Sequence, residues 1–126
     1  MARVLVVDDD LSTVRIVAAR LRSAGHEVMG APSAQEALQL IAVRGLPDVV
    51  VLDVSMPETS GPELLAILRA QEGLGEVPAI FLSARVLPEQ IEAGRAMGAS
   101  FLTKPFIAAA LLNAIDEAVG SRLDTW

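Results

Sequence analysis

No cysteine and no tyrosine occur in the 126 residues, and histidine and tryptophan occur once each. Without cysteine there are no disulfides, no thiolate metal sites and no thiol nucleophile. The single His26 excludes every scheme that needs two histidines. Long apolar runs are missing too: stretches such as Phe106 to Leu112 fall far short of the roughly 18 residues that suggest a membrane span. Positive charge is scarce. Ten basic residues face sixteen acidic ones, for a net charge of −6, which makes a poor surface for non-specific nucleic-acid binding. The amino terminus, Val4 to Val7 followed by three aspartates, does not read as a signal peptide. What is present suffices for a core, since 52% of residues are hydrophobic and 21% charged, the balance of an ordinary folded chain. The expectation is one soluble, cytoplasmic domain over residues 1–126, a length that suits a single unit.

Three short blocks are apolar throughout and rich in branched residues: Val4 to Val7, Val49 to Leu52 and Ala79 to Leu82. Such runs predict strands buried on both faces. Glu27 to Gly30 and Ser100 to Thr103 are weaker candidates. Helical spacing fills the intervals. Val14, Val17, Ala18 and Leu21 mark a helix from Leu11 to Ala24, and Ala34, Leu38 and Ile41 a second, opened by the Ser33 to Glu36 capping pattern. Leu64, Leu65 and Leu68 mark a third from Pro62 to Gln71. A fourth starts near Pro88 with Ile91 and Met97 apolar, and a fifth follows Pro105 through Leu111, Leu112, Ile115 and Val119. Five alternations of strand and helix predict an α/β fold, a doubly wound parallel sheet with helices on both faces.

Each strong strand ends in a residue capable of chemistry: Asp8, Asp9 and Asp10 after Val7, Asp53 after Leu52, Ser83 after Leu82, and Lys104 after Thr103. Ligands of open parallel sheets bind at the carboxyl ends of the strands. Aspartates there can equally cap the next helix, and Ser83 alone fits a turn. Lys104 stands out because the other nine basic residues are arginine, which suggests a need for a compact ammonium. Phosphoryl transfer to a carboxylate needs such a set. Crowded carboxylates call for a cation, few oxygen ligands favour Mg2+, and Lys104 and Ser83 can bind phosphate oxygens while Asp53 acts as nucleophile.

These residues resemble the receiver domain of two-component response regulators, across essentially the whole chain. The features that carry the resemblance are Val-Val-Asp-Asp-Asp at residues 6–10, Leu52-Asp53 with Met56-Pro57 and Gly61, Ser83-Ala84, and Phe101-Leu102-Thr103-Lys104-Pro105-Phe106. The resemblance implies a five-stranded sheet of order 2-1-3-4-5 with five helices, the flavodoxin-like receiver fold. It implies that Asp53 is the phosphoacceptor and that Asp8 and Asp9 hold Mg2+ with Asp53 and the backbone carbonyl of Ser55. Lys104 then binds phosphate, with a cis bond before Pro105, while Ser83 and Phe101 form the switch, which signals through the face of the fourth helix, fifth strand and fifth helix. The implied partners are a histidine kinase or histidine phosphotransfer protein and a downstream protein or a second copy, without direct nucleic-acid or membrane contact. The domain would be no enzyme beyond catalysing its own phosphorylation and dephosphorylation.

Several positions depart from the common pattern. Thr59-Ser60 precedes Gly61 where methionine-aspartate is frequent, a change expected to affect loop packing only. Phe101 lacks the frequent tyrosine hydroxyl, and Ile107 replaces a polar helix start. Ser55 and Arg85 occupy variable positions that tune phosphate lifetime. The segment Ile107 to Leu112 carries no charge, so Ile107 and Leu111 are expected to form an exposed output face. Two rival readings stay open. One is a haloacid-dehalogenase-type phosphatase, with Asp8 and Asp10 as its nucleophile loop; the other is a binding module independent of phosphorylation. His26 reads as structural, and Trp126 as a frayed end or interface contact.

Overall fold

The structure is a computed structural model and describes residues 2–85 and 87–123; Trp126 lies outside the described residues. Strands and helices alternate along the chain. They are β1 (Arg3–Val7), α1 (Leu11–Ser23), β2 (Glu27–Ala31), α2 (Ala34–Arg44), β3 (Val49–Asp53), α3 (Gly61–Arg69), β4 (Ala79–Ser83), α4 (Pro88–Ala96), β5 (Ala99–Thr103) and α5 (Ala108–Leu123). Every pairing is parallel and the order is β2-β1-β3-β4-β5, as the resemblance implied.

The pleat sorts side chains into two cores, because alternate residues of a strand face opposite ways. Leu5, Val7, Val50, Leu52, Ala79 and Phe81 pack with Ala37 of α2 and Leu64, Leu65 and Leu68 of α3. Val4, Val6, Val49, Val51, Ile80 and Leu82 pack with Val17, Ala18 and Leu21 of α1 and with Leu111 and Ile115 of α5. Covered on both faces, β3 and β4 are buried at every position, which is why they read as continuous apolar runs. The edge strands β2 and β5 expose part of their length and carry glycine, serine and threonine there.

Capping side chains set three of the helix starts. Asp10 accepts the Ser12 N–H at 2.9 Å, and Ser33 accepts the Glu36 N–H at 3.2 Å. Ser60 and Glu63 cap reciprocally: the Ser60 hydroxyl accepts the Glu63 N–H at 3.2 Å and the Glu63 carboxylate accepts the Ser60 N–H at 3.1 Å. Such a cap contributes about 1 kcal/mol. Ser60 starts α3 ahead of Pro62, a capping role that the aspartate frequent at this position would fill as well.

Two helix faces differ from expectation. Ile91 of α4 and Met97, its C-cap, are exposed, and the buried residue of α4 is Gly94. Leu111 is fully buried, whereas Ile107 is 73% exposed, so Leu111 does not belong to an output face. Leu111 lies four residues before Ile115 and shares its inward stripe; Ile107 precedes the helix and escapes the sheet. His26 is structural, as read: its Nδ1 accepts the Ala2 N–H at 3.1 Å at the end of the sheet away from the strand carboxyl ends.

Candidate functional site

Parallel strands end at one edge of the sheet, so the residues that follow β1, β3, β4 and β5 converge there. Pairing runs one residue past two of the strands. The Asp8 N–H donates to the Ala31 carbonyl at 3.2 Å, and the Lys104 N–H to the Ser83 carbonyl at 2.7 Å. Alternation therefore carries Asp8, Asp53 and Lys104 to the sheet face covered by α1 and α5. Ser83 and Phe101 go to the opposite face with Phe81.

The Lys104 ammonium lies 2.7 Å from Oδ2 of Asp8 and 3.2 Å from Oδ1 of Asp53. Asp8 is fully buried and Asp53 nearly so. Oδ1 of Asp8 accepts the Asp10 N–H at 2.9 Å, while Oδ2 accepts no hydrogen bond beyond the Lys104 ion pair. Asp9, exposed at the rim, adds a third acid, and one oxygen from each of Asp8, Asp9 and Asp53 lies within 4.8 Å of the others. Burial pushes the Asp53 carboxyl above its ordinary pKa and the charge of Asp8 pushes it further, against the pull of Lys104. For Lys104, burial works to lower the pKa, but the hydrogen bonds and charges of Asp8 and Asp53 prevail and raise it. One ammonium is thus shared by two buried carboxylates, with the exposed acid of Asp9 beside them. Acceptor-only oxygens in a half-open cluster are the donor set of a hard divalent cation, and Asp8, Asp9 and Asp53 fit one.

The remaining residues take distinct places. Ser55 sits in the exposed loop two residues after Asp53. That loop folds back over the strand end, where the Gly61 N–H donates to the Val54 carbonyl at 3.0 Å, and a Cβ on Gly61 would collide with the backbone carbonyl of Asp53. The Ser83 hydroxyl donates to the Arg85 carbonyl at 2.7 Å and accepts the Arg85 N–H at 3.3 Å. It is engaged with the loop after β4, not with Asp53. The Phe101 ring packs against Phe81, their centroids 5.0 Å apart and their planes inclined at 35°. The Lys104–Pro105 peptide is cis. Asp10 caps α1, so it offers no second acid for a phosphatase nucleophile loop, and Asp116 and Glu117 are exposed on α5.

Two contributors escaped the sequence reading. Ser60 shows the same four-residue signal as Ser33, but the Gly61-Pro62 pair obscured the helix start. The Arg85 carbonyl that holds Ser83 has no signal in residue type, because a backbone atom supplies the contact.

The family model described as the response regulator receiver domain matches residues 4–116. The sensory/regulatory protein RpfC of Xanthomonas campestris is 37% identical over 124 residues, 95% of this chain and 17% of that protein. The transcriptional regulatory protein PrrA of Mycobacterium tuberculosis is 38% identical, over 98% of this chain and 52% of that one. The chain thus spans from about a sixth to about half the length of these relatives. Among solved structures, the Vibrio cholerae chemotaxis protein CheY4 superposes with a TM-score of 0.82 at 36% identity, covering 94% of this chain and 98% of the other. The Francisella response regulator 1452 receiver domain superposes with a TM-score of 0.83 at 32% identity, covering 97% and 99%. Strand order, the acidic cluster with its single lysine, and these likenesses agree: the chain belongs to the receiver domains of two-component response regulators, a family of signalling domains.

Proposed function

We propose that residues 1–126 form one receiver domain that accepts a phosphoryl group onto Asp53 from a histidine kinase or a histidine phosphotransfer protein. The observation that carries this reading is the Lys104 ammonium bridging buried Asp8 and Asp53 beside the exposed carboxylate of Asp9. In the transfer, an Asp53 oxygen attacks phosphorus, the phosphorus–nitrogen bond of phosphohistidine breaks, and the imidazole leaves with a proton. Asp8, Asp9, Asp53 and the Ser55 backbone carbonyl would hold Mg2+, whose positive charge would offset the phosphoryl oxygens. Lys104 exchanges its contact with the Asp53 carboxylate for one with a phosphoryl oxygen. Ser83 gives up the Arg85 carbonyl to reach another, and Phe101 re-packs on the same sheet face. The domain acts catalytically on its own aspartate alone.

The output goes to a downstream protein or a second copy through the face that carries exposed Ile107. The net charge of −6 argues against direct nucleic-acid contact. Among the described residues no helix is long and apolar enough to cross a membrane, and the proposed place of action is the cytoplasm, where kinase and phosphodonor are found. Beryllofluoride, a phosphoryl mimic, tests the reading. With Mg2+ it should bind stoichiometrically and shift the amide resonances of Ser83 and Phe101. Binding that survives Asp53→Asn, or that leaves both resonances in place, would refute it.

A further inference from the structure

Helix α4 is held to the domain in an unusual way. Its Ile91 and the Met97 at its C-cap are exposed, and its buried residue is Gly94. Glycine is the weakest helix former apart from proline, so its place inside a helix calls for a packing reason. That reason is Phe101. A Cβ at position 94 would lie 2.5 Å from Cε1 and 2.9 Å from Cδ1 of the Phe101 ring, and 3.2 Å from the Ala99 carbonyl oxygen. Phe81, fully buried, packs against the half-buried ring at 5.0 Å and blocks its retreat towards the sheet, so the ring yields to a Cβ only by leaving this seat. Phe101 therefore occupies a slot whose walls are Phe81 and the bare backbone of α4.

This slot belongs to the arrangement in which the Ser83 hydroxyl is tied to the Arg85 carbonyl, with nothing drawing it to Asp53. Ser83 and Phe101 lie on the same sheet face, on paired strands. We infer that Gly94 is a positioning residue: the missing side chain seats Phe101 against Phe81 in the resting domain and makes the ring the main support of α4. When the ring leaves the slot, α4 loses that support, which couples events at Ser83 to the surface carrying Ile91 and Met97. The inference rests on the phosphoacceptor reading above and adds to it the residue that sets the resting state.

A methyl group at position 94 penalises the resting arrangement and spares any arrangement in which the ring has moved away. Overpacking of this kind shifts a two-state ratio by about tenfold or more. Gly94→Ala should therefore bind beryllofluoride, at fixed Mg2+, about tenfold more tightly than the unaltered domain. Its α4 amide resonances should already lie part of the way towards their beryllofluoride-bound positions without ligand. In a Phe101→Ala background the same exchange should leave the affinity unchanged, because no ring remains to displace.

Unchanged or weakened binding by Gly94→Ala would overturn the inference. So would an equal gain in both backgrounds, which would place the effect in the helix and not in the ring. If Gly94→Ala alone fails to fold, the exchange is made in a Phe101→Leu background. The leucine side chain, unlike alanine, still reaches to the Cδ level of the slot and meets the added methyl group, but yields more easily than a ring. Tighter binding than Phe101→Leu alone supports the inference, and equal or weaker binding overturns it. Failure of the unaltered domain to bind beryllofluoride would instead overturn the phosphoacceptor reading.

Discussion

Replacing Lys104 by methionine removes the one cation that Asp8 and Asp53 share while keeping the length of the side chain. At an effective dielectric of about 20, contacts of 2.7 and 3.2 Å each correspond to about 5–6 kcal/mol of gross attraction. The variant does not lose all of this, because one of the carboxylates takes up a proton. Holding a proton at pH 7 on a group with an ordinary pKa near 4 costs about 4 kcal/mol. That cost sets the ceiling, and it matches the roughly 3–5 kcal/mol typical of a buried ion pair stripped of one partner. Without Mg2+, Lys104→Met should lose about 3–4 kcal/mol at pH 7, a Tm fall of roughly 12–16 °C. Because the folded variant now binds the extra proton, its deficit should shrink as the pH falls, by up to about 1.4 kcal/mol per unit between pH 7 and 5. Excess Mg2+ should narrow it at pH 7. Urea unfolding followed by circular dichroism across that range measures both quantities. Lys104→Arg keeps the charge and should keep most of the stability, while its fork geometry impairs the response to phosphorylation. A Lys104→Met loss below about 1 kcal/mol with no pH dependence would show that solvent screens the pair, and the site electrostatics described above would be wrong.

Asp53, with its carboxyl raised by burial and by Asp8, holds a proton more tightly folded than unfolded. It therefore costs the metal-free fold stability as pH rises through that window, so Asp53→Asn should be more stable by about 1 kcal/mol at pH 7 without Mg2+. The gain should vanish once the pH falls below the ordinary aspartate range, as calorimetry at several pH values would show. Gly61→Ala forces a Cβ against the Asp53 backbone carbonyl and should cost about 2–3 kcal/mol in denaturant unfolding, with weaker Mg2+ binding as the strand end shifts. Ile107→Glu, at a 73% exposed position, should change stability by less than about 0.5 kcal/mol. It should nevertheless abolish phosphorylation-dependent association, measured by sedimentation with and without beryllofluoride, while Asp53 still takes label.

The order of elements was legible because β1, β3 and β4 are covered on both faces and must be apolar throughout. The edge strands β2 and β5 were fainter because Glu27, Gly30 and Ser100 face solvent. The acidic cluster was legible for a topological reason: strand ends converge, so Asp8, Asp53 and Lys104 could be brought together without any measured contact. The misread faces share a cause. Whether Leu111 or Ile107 turns inward depends on where α5 starts relative to the sheet, and α4 rests on Phe101 through Gly94 where Ile91 and Met97 promised the apolar stripe. Both depend on contacts between strands and helices that spacing within one helix does not encode. The role of Asp10 was ambiguous for a different reason, since a cap and a ligand use the same carboxylate; its contact with the Ser12 N–H at 2.9 Å assigns it to the cap.

The central claim is that Asp53 takes the phosphoryl group in a reaction that needs the acidic cluster. Intact-protein mass spectrometry after incubation with acetyl phosphate measures this directly. With Mg2+ the protein should gain one phosphoryl group, mapped to Asp53 by peptide analysis. The label should be absent from Asp53→Asn, strongly reduced in Asp9→Ala and absent when the metal is chelated. Full labelling of Asp53→Asn, or consumption of acetyl phosphate with no label on the protein, would contradict it.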